Sequence, residues 1–243
     1  RVSRRRRVNA MLEVKGIETS YGTSQVLFGM SFSVKEGEVV SLMGRNGMGK
    51  TTTIRSLMGM VPTHGGSITF EGREVQSLKD YQIAKLGLGL VPEGRQIFPN
   101  LTVRENLIAT ADNRTGTDNP WEVDHIVDMF PNLGNRMNNM GNQLSGGEQQ
   151  MLAVGRALMT NPKLLILDEA TEGLAPLIRE EIWKCLEGLK ERGQSILVID
   201  KNVDALTRIG DRHYIVERGQ IVWEGNSAEL SANEELQHRY LGV

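Results

Sequence analysis

The fold is decided by Glu38-Val39-Val40-Ser41-Leu42-Met43-Gly44-Arg45-Asn46-Gly47-Met48-Gly49-Lys50-Thr51. Its first six residues predict a buried strand, and a helix is expected over Lys50–Met58. Between them Gly44–Thr51 matches G-x-x-x-x-G-K-T, in the strand–loop–helix context that a phosphate-binding loop requires. The glycines let backbone amides curl around a β-phosphate, and the dipole of the following helix favours its charge. The residues predicted to bind the nucleotide are Gly44, Arg45, Asn46, Gly47, Met48, Gly49, Lys50, Thr51 and Thr52.

Two carboxylates follow a second buried strand, Leu164–Leu167. Asp168 suits Mg²⁺, either directly or from its outer shell, together with the Thr51 hydroxyl. Glu169 is the better candidate to orient or deprotonate an attacking water, and Lys50 is expected to reach the β- and γ-phosphates. The alternative is a strand that happens to end in solvated acids. The phosphate loop favours the catalytic interpretation, because it supplies a nucleotide for these acids to serve.

A second glycine pair lies in Leu144-Ser145-Gly146-Gly147-Glu148-Gln149-Gln150, which we call the signature segment. If a helix begins near Ser145, the amides of Gly146 and Gly147 lie at its positive end and suit an anion. Ser145 adds a hydroxyl donor. The phosphate loop already holds the phosphates of this chain's own nucleotide. The signature segment is therefore predicted to bind a nucleotide held by another subunit.

The remaining patterns indicate an α/β fold. Alternating apolar residues predict antiparallel strands near the N-terminus, at Leu12–Ile17 and Met30–Val34. Buried strands at Leu164–Leu167 and Ser195–Ile199 are separated by a helical pattern, which predicts a mostly parallel sheet covered on both faces. Other expected elements are a strand at Ser67–Phe70, helices at 102–160 and 177–191, a hairpin at His213–Val216 and Gln220–Trp223, and a helix at Asn233–Tyr240.

Composition describes an ordinary globular protein of 243 residues, with 24% charged and 39% hydrophobic residues. No apolar run approaches the roughly 18 residues of a membrane span. A single cysteine, Cys185, excludes an internal disulfide and fits a reducing compartment. Five arginines lie within residues 1–7, although the formal net charge is −2. We interpret residues 1–10 as an upstream extension or expression remnant ahead of Met11, and the acidic remainder argues against nucleic acid as a partner.

The order and spacing of the phosphate loop, the signature segment and the Leu164–Glu169 strand resemble the ATP-binding subunits of ABC transporters. Leu90–Val103 and Asp168–Pro176 resemble more closely the ATPases of branched-chain (hydrophobic) amino acid importers. This resemblance implies a single ATP-binding domain over residues 11–243. It implies a P-loop NTPase (RecA-like) core with a mostly parallel sheet, an N-terminal antiparallel β subdomain, and a helical subdomain inserted at about residues 94–160.

The resemblance also implies roles for single residues. Tyr21 occupies the position of the aromatic ring that stacks on adenine; the alternative is a core tyrosine. Glu93 replaces the usual glutamine that contacts Mg²⁺ and water, and Glu93–Asn100 is the expected hinge to the helical insertion. Glu172–Ala175 correspond to a loop that contacts the other subunit. The nucleotide ligands expected in the signature segment are Ser145, Gly146, Gly147 and Glu148.

Lys201 departs from the family pattern, because most members have a histidine at that position, in contact with the γ-phosphate. Lysine can grip the same phosphate, but from a flexible stem with a different reach. Losing one preorganised donor typically costs about 10²–10³ in rate. Lys201 is thus a candidate catalytic residue. Its replacement of histidine bears on ATP hydrolysis at this chain's own phosphate loop more than on ATP binding there. His213 is a poor substitute, because it opens a hairpin strand and is expected to pack or face solvent.

The resulting hypothesis is an ATP- and Mg²⁺-dependent motor on the cytoplasmic face of a bacterial or archaeal membrane. Its expected partners are a second ATP-binding subunit, identical or homologous, integral-membrane permease subunits, and indirectly a substrate-binding protein. One alternative is an ATP-gated interaction module with weak hydrolysis, and another is an ABC ATPase for a different substrate. A soluble ABC ATPase for DNA repair or translation would need a long coiled coil or tandem cassettes. A nucleotide kinase would have no use for the signature segment.

Overall fold

Two β-sheets and ten α-helices make up residues 10–242, which are the residues that the computed structural model describes. The strands are β1 (Leu12–Tyr21), β2 (Ser24–Val34), β3 (Val39–Met43), β4 (Thr63–Phe70), β5 (Arg73–Glu74), β6 (Leu88–Val91), β7 (Leu164–Asp168), β8 (Ser195–Ile199), β9 (Arg212–Glu217) and β10 (Gln220–Gly225). The helices are α1 (Lys50–Leu57), α2 (Asp80–Lys85), α3 (Val103–Ile108), α4 (Val123–Met129), α5 (Pro131–Gly134), α6 (Gly146–Leu158), α7 (Pro176–Glu191), α8 (Val203–Ile209), α9 (Ser227–Ser231) and α10 (Glu234–Tyr240).

The larger sheet has six strands in the order β10-β9-β3-β8-β7-β6. Five of them are parallel, and β10 pairs antiparallel with β9 at one edge. The four-stranded sheet, ordered β2-β1-β4-β5, is antiparallel throughout. The predicted α/β class is therefore confirmed, with its mostly parallel sheet and an antiparallel sheet formed from the N-terminal part.

Both faces of the parallel sheet are buried, which explains its continuous apolar runs. Successive residues alternate between two cores, because side chains in a strand point to opposite faces. In β3, Val39 and Met43 join the core formed with α6, α7 and α8, whereas Val40 and Leu42 join the core beneath the antiparallel sheet and α1. The alternation holds β3 rigidly between two packed layers at the strand that leads into the phosphate loop.

The N-terminal strands are longer than the sequence pattern predicts. Alternation breaks at Gly16 and Gly29, which adopt positive φ values of 58° and 89°. The pairing register shifts between Val14 and Ile17 and again nearby, as expected of β-bulges. The two strands continue past these irregularities and place Tyr21 at the end of β1.

The predicted helical character of residues 102–160 is confirmed: α3, α4, α5, α6 and a 3₁₀ turn at Gly141–Gln143 lie there. The one β contact in this span is an isolated bridge between Thr102 and Met140. The hairpin and the C-terminal helix also lie where predicted, with Asn233 capping α10. The domain boundaries at residues 11, 94 and 160 stay predictions.

Several short elements were not predicted, namely β5, β6, α2, α8 and α9. The strand β6 is only four residues long and is recognisable through its pairing with β7 rather than through its own pattern. Residues 1–9, which hold the arginine-rich stretch, lie outside the described residues. No helix within residues 10–242 has the length and apolarity needed to cross a membrane.

Candidate active site

The phosphate loop connects the carboxyl end of β3 to the first turn of α1. Gly44 has φ 145°, and a Cβ there would lie 2.4 Å from the carbonyl oxygen of Val216 on β9. Gly49, the residue before α1, has φ 102° in the left-handed region. Only glycine adopts these conformations at little cost. The glycines therefore allow the loop to curl against the sheet and present its amides.

The side chain of Lys50 lies inside this loop. Its ammonium donates hydrogen bonds to the carbonyl oxygens of Gly44 at 2.8 Å and Arg45 at 3.0 Å. Burial lowers the pKa of Lys50, although nearby carboxylates, Glu169 foremost, act in the opposite direction. The nearest carboxylate oxygen, Oε1 of Glu169, is 3.8 Å from Nζ. A cation held in the centre of a ring of amides is suited to phosphate oxygens.

Not every predicted loop residue directs its side chain into the loop. Arg45 Nη2 donates to the carbonyl oxygen of His238 on α10 at 3.3 Å, and Met48 Sδ accepts from the backbone N–H of Arg218 at 3.4 Å. The recess beside the loop is lined by Val26, Asn46, Gly47, Gly49, Lys50, Thr51, Thr52, Glu93 and Glu169. Arg45 and Met48 can thus contribute backbone groups, while their side chains contact the C-terminal part of the chain.

Thr51 and Asp168 come together between α1 and β7. The Thr51 hydroxyl donates to Asp168 Oδ1 at 3.3 Å, and Asp168 is almost fully buried. Burial raises the pKa of Asp168 to about 6, and the negative charge of Glu93 adds to this effect. Among residues 10–242, no three His, Cys, Asp or Glu side chains converge on a metal position. Two protein oxygens nonetheless suit Mg²⁺, which usually keeps waters and takes further ligands from phosphates.

Glu169 is held in an unusual backbone conformation. It has φ 52°, and its N–H donates to the carbonyl oxygen of Ile199 on β8 at 2.9 Å. Burial, together with a hydrogen bond to the Glu172 carboxylate, raises the pKa of Glu169 to about 7. A carboxyl group that exchanges its proton near neutral pH is suited to act as a general base.

Lys201 lies in the same recess as Lys50 and Glu169. Its ammonium is 2.5 Å from Oε1 of Glu172, and this hydrogen bond raises the pKa of Lys201. One residue earlier, the Thr171 hydroxyl donates to the buried carboxylate of Asp200. The structure thus places Lys201 in one recess with Lys50 and Glu169, with its ammonium bound to Glu172, and its contact with the γ-phosphate stays a prediction. Sequence reasoning missed the Lys201–Glu172 and Thr171–Asp200 contacts, because 29 residues separate the partners of each pair.

Tyr21 is 42% exposed at the end of β1 and is not among the residues that line the loop recess. Its predicted stacking on adenine stays a prediction. Glu93 follows β6 and does line the recess. It therefore lies where the predicted Mg²⁺ ligand would be expected.

The signature segment begins α6, as predicted. Ser145 caps the helix: its Oγ accepts from the N–H of Glu148 at 3.3 Å, and the Glu148 carboxylate accepts from the N–H of Ser145 at 2.7 Å. Glu148 also pairs with Arg136 at 3.3 Å, so its carboxylate is already engaged within the chain. None of Ser145–Glu148 lines the recesses around Lys50. The signature segment therefore lies outside the recesses that Lys50 lines.

The tight packing of the signature glycines was also missed. A Cβ on Gly146 would lie 2.8 Å from Nη1 of Arg95, and one on Gly147 would lie 2.8 Å from Cγ2 of Ile178. Neither contact has a sequence signal beyond the glycines themselves.

Two residues that do not line the phosphate recess, Cys185 and His213, are buried in the core. Cys185 is buried, and burial raises the pKa of its thiol to about 12. His213 is fully buried between Ser41 and Ser227. It therefore does not replace the histidine that most family members have at the position of Lys201.

Comparison with known proteins places this arrangement. Residues 27–172 match the family described as ABC transporter. The chain is 40% identical over 232 residues to the high-affinity branched-chain amino acid transport ATP-binding protein BraG of Pseudomonas aeruginosa, covering 96% of this chain and 100% of BraG. It is 34% identical over 236 residues to the lipopolysaccharide export system ATP-binding protein LptB of Haemophilus influenzae, covering 96% and 98%.

Solved structures of ATP-binding cassettes have the same fold as this chain. A nucleotide-free ATP-binding cassette from an ABC transporter superposes with a TM-score of 0.82 at 26% identity, covering 97% of this chain and 99% of that one. The ADP conformation of the ABC transporter cassette MJ1267 superposes with a TM-score of 0.76 at 28% identity, covering 93% and 94%. The chain therefore belongs to the ABC transporter family, as one of its ATP-binding subunits, and is an ATPase.

Proposed function

We propose that this chain drives an ABC importer for branched-chain or other hydrophobic amino acids. Two ATP-binding subunits would close around ATP and reopen after hydrolysis, and this motion would be passed to membrane permease subunits. The convergence of Lys50, Thr51, Asp168 and Glu169 at the ends of β3 and β7 carries the proposal for ATP hydrolysis. The full-length similarity to BraG supports the proposal for the transported substrate.

Each residue of the site has a proposed role in this reaction. Lys50 and the amides of Gly44–Thr51 hold the phosphates, with Lys50 exchanging its two carbonyl contacts for phosphate oxygens. Thr51, Asp168 and Glu93 would hold Mg²⁺, which would neutralise charge on the phosphates when bound. Glu169 orients the attacking water and takes its proton. Its raised pKa favours this role, because the carboxylate can accept a proton near pH 7.

The separation of the two anion sites supports the proposal of a dimer. Ser145, Gly146 and Gly147 lie at the start of a 13-residue helix and do not face the chain's own phosphate loop. In a dimer they would complete the nucleotide site of the partner subunit, whether it is a second copy or a homologous chain. The helical region between residues 94 and 160 is the proposed contact with the permease, which would hold the subunit at the cytoplasmic face of the membrane.

The similarity to LptB makes an export system the competing substrate assignment. Uptake in cells that lack the gene distinguishes the two. We expect radiolabelled leucine uptake to be lost on deletion, restored by the wild-type chain, and not restored by Glu169→Gln. Cys185→Ala serves as a matched control, because this buried thiol lies outside the site. Unchanged leucine, isoleucine and valine uptake in the deletion strain would refute the assignment.

An ATP-gated interaction module with weak hydrolysis is the second candidate, favoured by the pairing of Lys201 with Glu172. An engaged ammonium supplies one donor fewer to the γ-phosphate. Phosphate release by the purified complex with its permease separates the candidates. Rapid turnover that Lys50→Ala abolishes supports the motor, whereas ATP binding without turnover supports the module.

A further inference from the structure

Two neighbouring contacts join the loop after β7 to the loop after β8. The strands run in parallel register, with Asp168 opposite Ile199. Beyond their ends, Thr171 contacts Asp200 and Glu172 contacts Lys201, each at 2.5 Å. We call these two consecutive contacts rungs; they lie two residues out of the register of β7 and β8 and join the loops through side chains beyond the paired strands.

The two rungs differ in exposure. Thr171 and Asp200 are 3% and 4% exposed, and the second oxygen of Asp200 accepts from the N–H of Asn202 at 2.9 Å. The side chains of Glu172 and Lys201 are 41% and 70% exposed. A buried, fully bonded carboxylate is costly to separate from its donor, whereas an exposed ion pair contributes little. The first rung therefore fixes the loops, and the second can open without disturbing them.

When the second rung opens, the Lys201 ammonium can turn toward the proposed phosphate site. Lys201 lines one recess with Asn46, Lys50 and Glu169, next to the proposed phosphate site. Its ammonium is a mobile point charge on a flexible four-carbon stem. A γ-phosphate bound at Lys50 would bring a strong second anion into reach of this ammonium.

We propose that Glu172 is a positioning residue that holds Lys201 as an exchangeable counter-ion, and that the γ-phosphate of ATP competes with Glu172 for its ammonium. This inference rests on the proposed nucleotide site. ADP has no γ-phosphate and leaves the pair closed. Glu172 thereby sets how strongly the site distinguishes ATP from ADP.

The exposure of the pair sets the size of the effect. Exposed ion pairs contribute at most about 1 kcal/mol, which corresponds to roughly fivefold in an equilibrium constant. Glu172→Gln keeps the shape of the side chain and removes the charge that retains Lys201. We expect it to raise the affinity for ATP relative to ADP by up to about fivefold.

The test is a cycle of four full-length chains: wild type, Glu172→Gln, Lys201→Met and the double variant. Calorimetric titration with Mg²⁺ and either ADP or the β,γ-imido analogue of ATP gives the affinity ratio without turnover. We expect Glu172→Gln to raise the ratio and Lys201→Met to lower it. In the Lys201→Met background, Glu172→Gln should have no effect, because no ammonium remains to be released.

Three results would overturn the proposal. One is a ratio that Glu172→Gln leaves unchanged or lowers. Another is a gain that persists without Lys201, which would mean simple repulsion between Glu172 and the phosphate. The third is a rise in the ratio that comes from weaker ADP binding rather than from tighter binding of the ATP analogue. Absence of nucleotide binding by the wild type would instead refute the proposed function itself.

Glu187→Gln is the matched control. Glu187 forms a half-exposed ion pair with Arg208, also at 2.5 Å, but this pair joins α7 to α8 and does not line the recess of Lys201. We expect this substitution to leave the affinity ratio unchanged. Should Glu172→Gln fail to fold, Glu172→Ser with and without Lys201→Met repeats the cycle.

Discussion

We expect mild acid to destabilise this chain through His213. The imidazole lies fully buried on β9, with Nδ1 2.7 Å from Ser41 Oγ and Nε2 2.8 Å from Ser227 Oγ. The Ser227 hydroxyl donates to the carbonyl oxygen of Gly210, so it accepts the proton of Nε2. Nδ1 is then the acceptor for Ser41. Both ring nitrogens are satisfied in the neutral form, and a second proton has no acceptor unless Ser41 turns away.

The magnitude follows from the pKa. Burial lowers the pKa of His213 from 6.5 to about 4, with Lys190 acting in the same direction and Asp211 against it. The unfolded chain therefore binds this proton more readily than the folded chain. The contribution of neutral His213 to the free energy of unfolding is fully present above pH 6.5 and is lost as the pH falls toward 4. Each pKa unit corresponds to 1.36 kcal/mol, so the total is about 3 kcal/mol, of which about 2 kcal/mol is lost by pH 5.

Two carboxyl groups in the site act in the opposite direction. The pKa values of Asp168 and Glu169 are raised to about 6 and about 7, so their protonation favours the folded state as the pH falls. The wild-type profile alone therefore mixes opposing slopes. The informative quantity is the difference in the free energy of unfolding between the wild type and His213→Gln, because this variant retains both carboxyl groups.

Urea unfolding of nucleotide-free chains between pH 7.5 and pH 5 measures this difference. We expect the excess in the free energy of unfolding of the wild type over His213→Gln to decrease by about 2 kcal/mol from pH 7.5 to pH 5. His238→Gln, on the exposed face of α10, controls for removal of an imidazole. A difference that is independent of pH, or that grows in acid, would refute the assignment of a neutral, buried His213.

Three further substitutions test the site. Lys50→Ala should reduce phosphate release by at least about 10²-fold, and near-normal release would contradict its proposed phosphate contact. Gly146→Ala should displace the Arg95 guanidinium and weaken dimerisation with the ATP analogue in sedimentation, while unfolding in urea stays nearly unchanged. Thr171→Val removes one of the two hydrogen-bond donors of the buried Asp200 carboxylate, so we expect about 1.5–3 kcal/mol less stability in urea. A loss below about 0.5 kcal/mol would show that this contact is not maintained.

The parallel sheet could be predicted because its strands are uniform. Each of β3, β7 and β8 is five residues long and buried throughout, so four of its five residues are apolar. The antiparallel strands were cut short in the prediction, because bulges at Gly16 and Gly29 interrupt the alternation. A period-two pattern cannot continue across an inserted residue, although the strand does.

Part of the site could likewise be predicted from the sequence, and part could not. The phosphate loop and its helix are local in sequence, so Gly44–Thr51 could be predicted as a unit. The contact of Thr51 with Asp168 could be inferred, because the chemistry of a nucleotide requires it. The pairing of Lys201 with Glu172 could not, because it joins two loops beyond the ends of β7 and β8, two residues out of the register of these strands. Only the pairing of these strands brings two loops from distant parts of the chain to the same height.

The contacts of the signature glycines bear on how the two nucleotide sites of a dimer communicate. Arg95 packs on Gly146 and lies two residues after Glu93, which lines the chain's own phosphate recess. Ile178 packs on Gly147 and lies on α7, directly after the loop that holds Glu172. The loop after β6 and the first turn of α7, next to the proposed nucleotide site, therefore both contact the start of α6, which would serve the nucleotide of the partner subunit. Because packed contacts of this kind transmit small shifts rather than absorb them, a displacement at either loop should move the signature segment. Substitutions at these two glycines should accordingly alter the coupling between the sites more than the affinity of either.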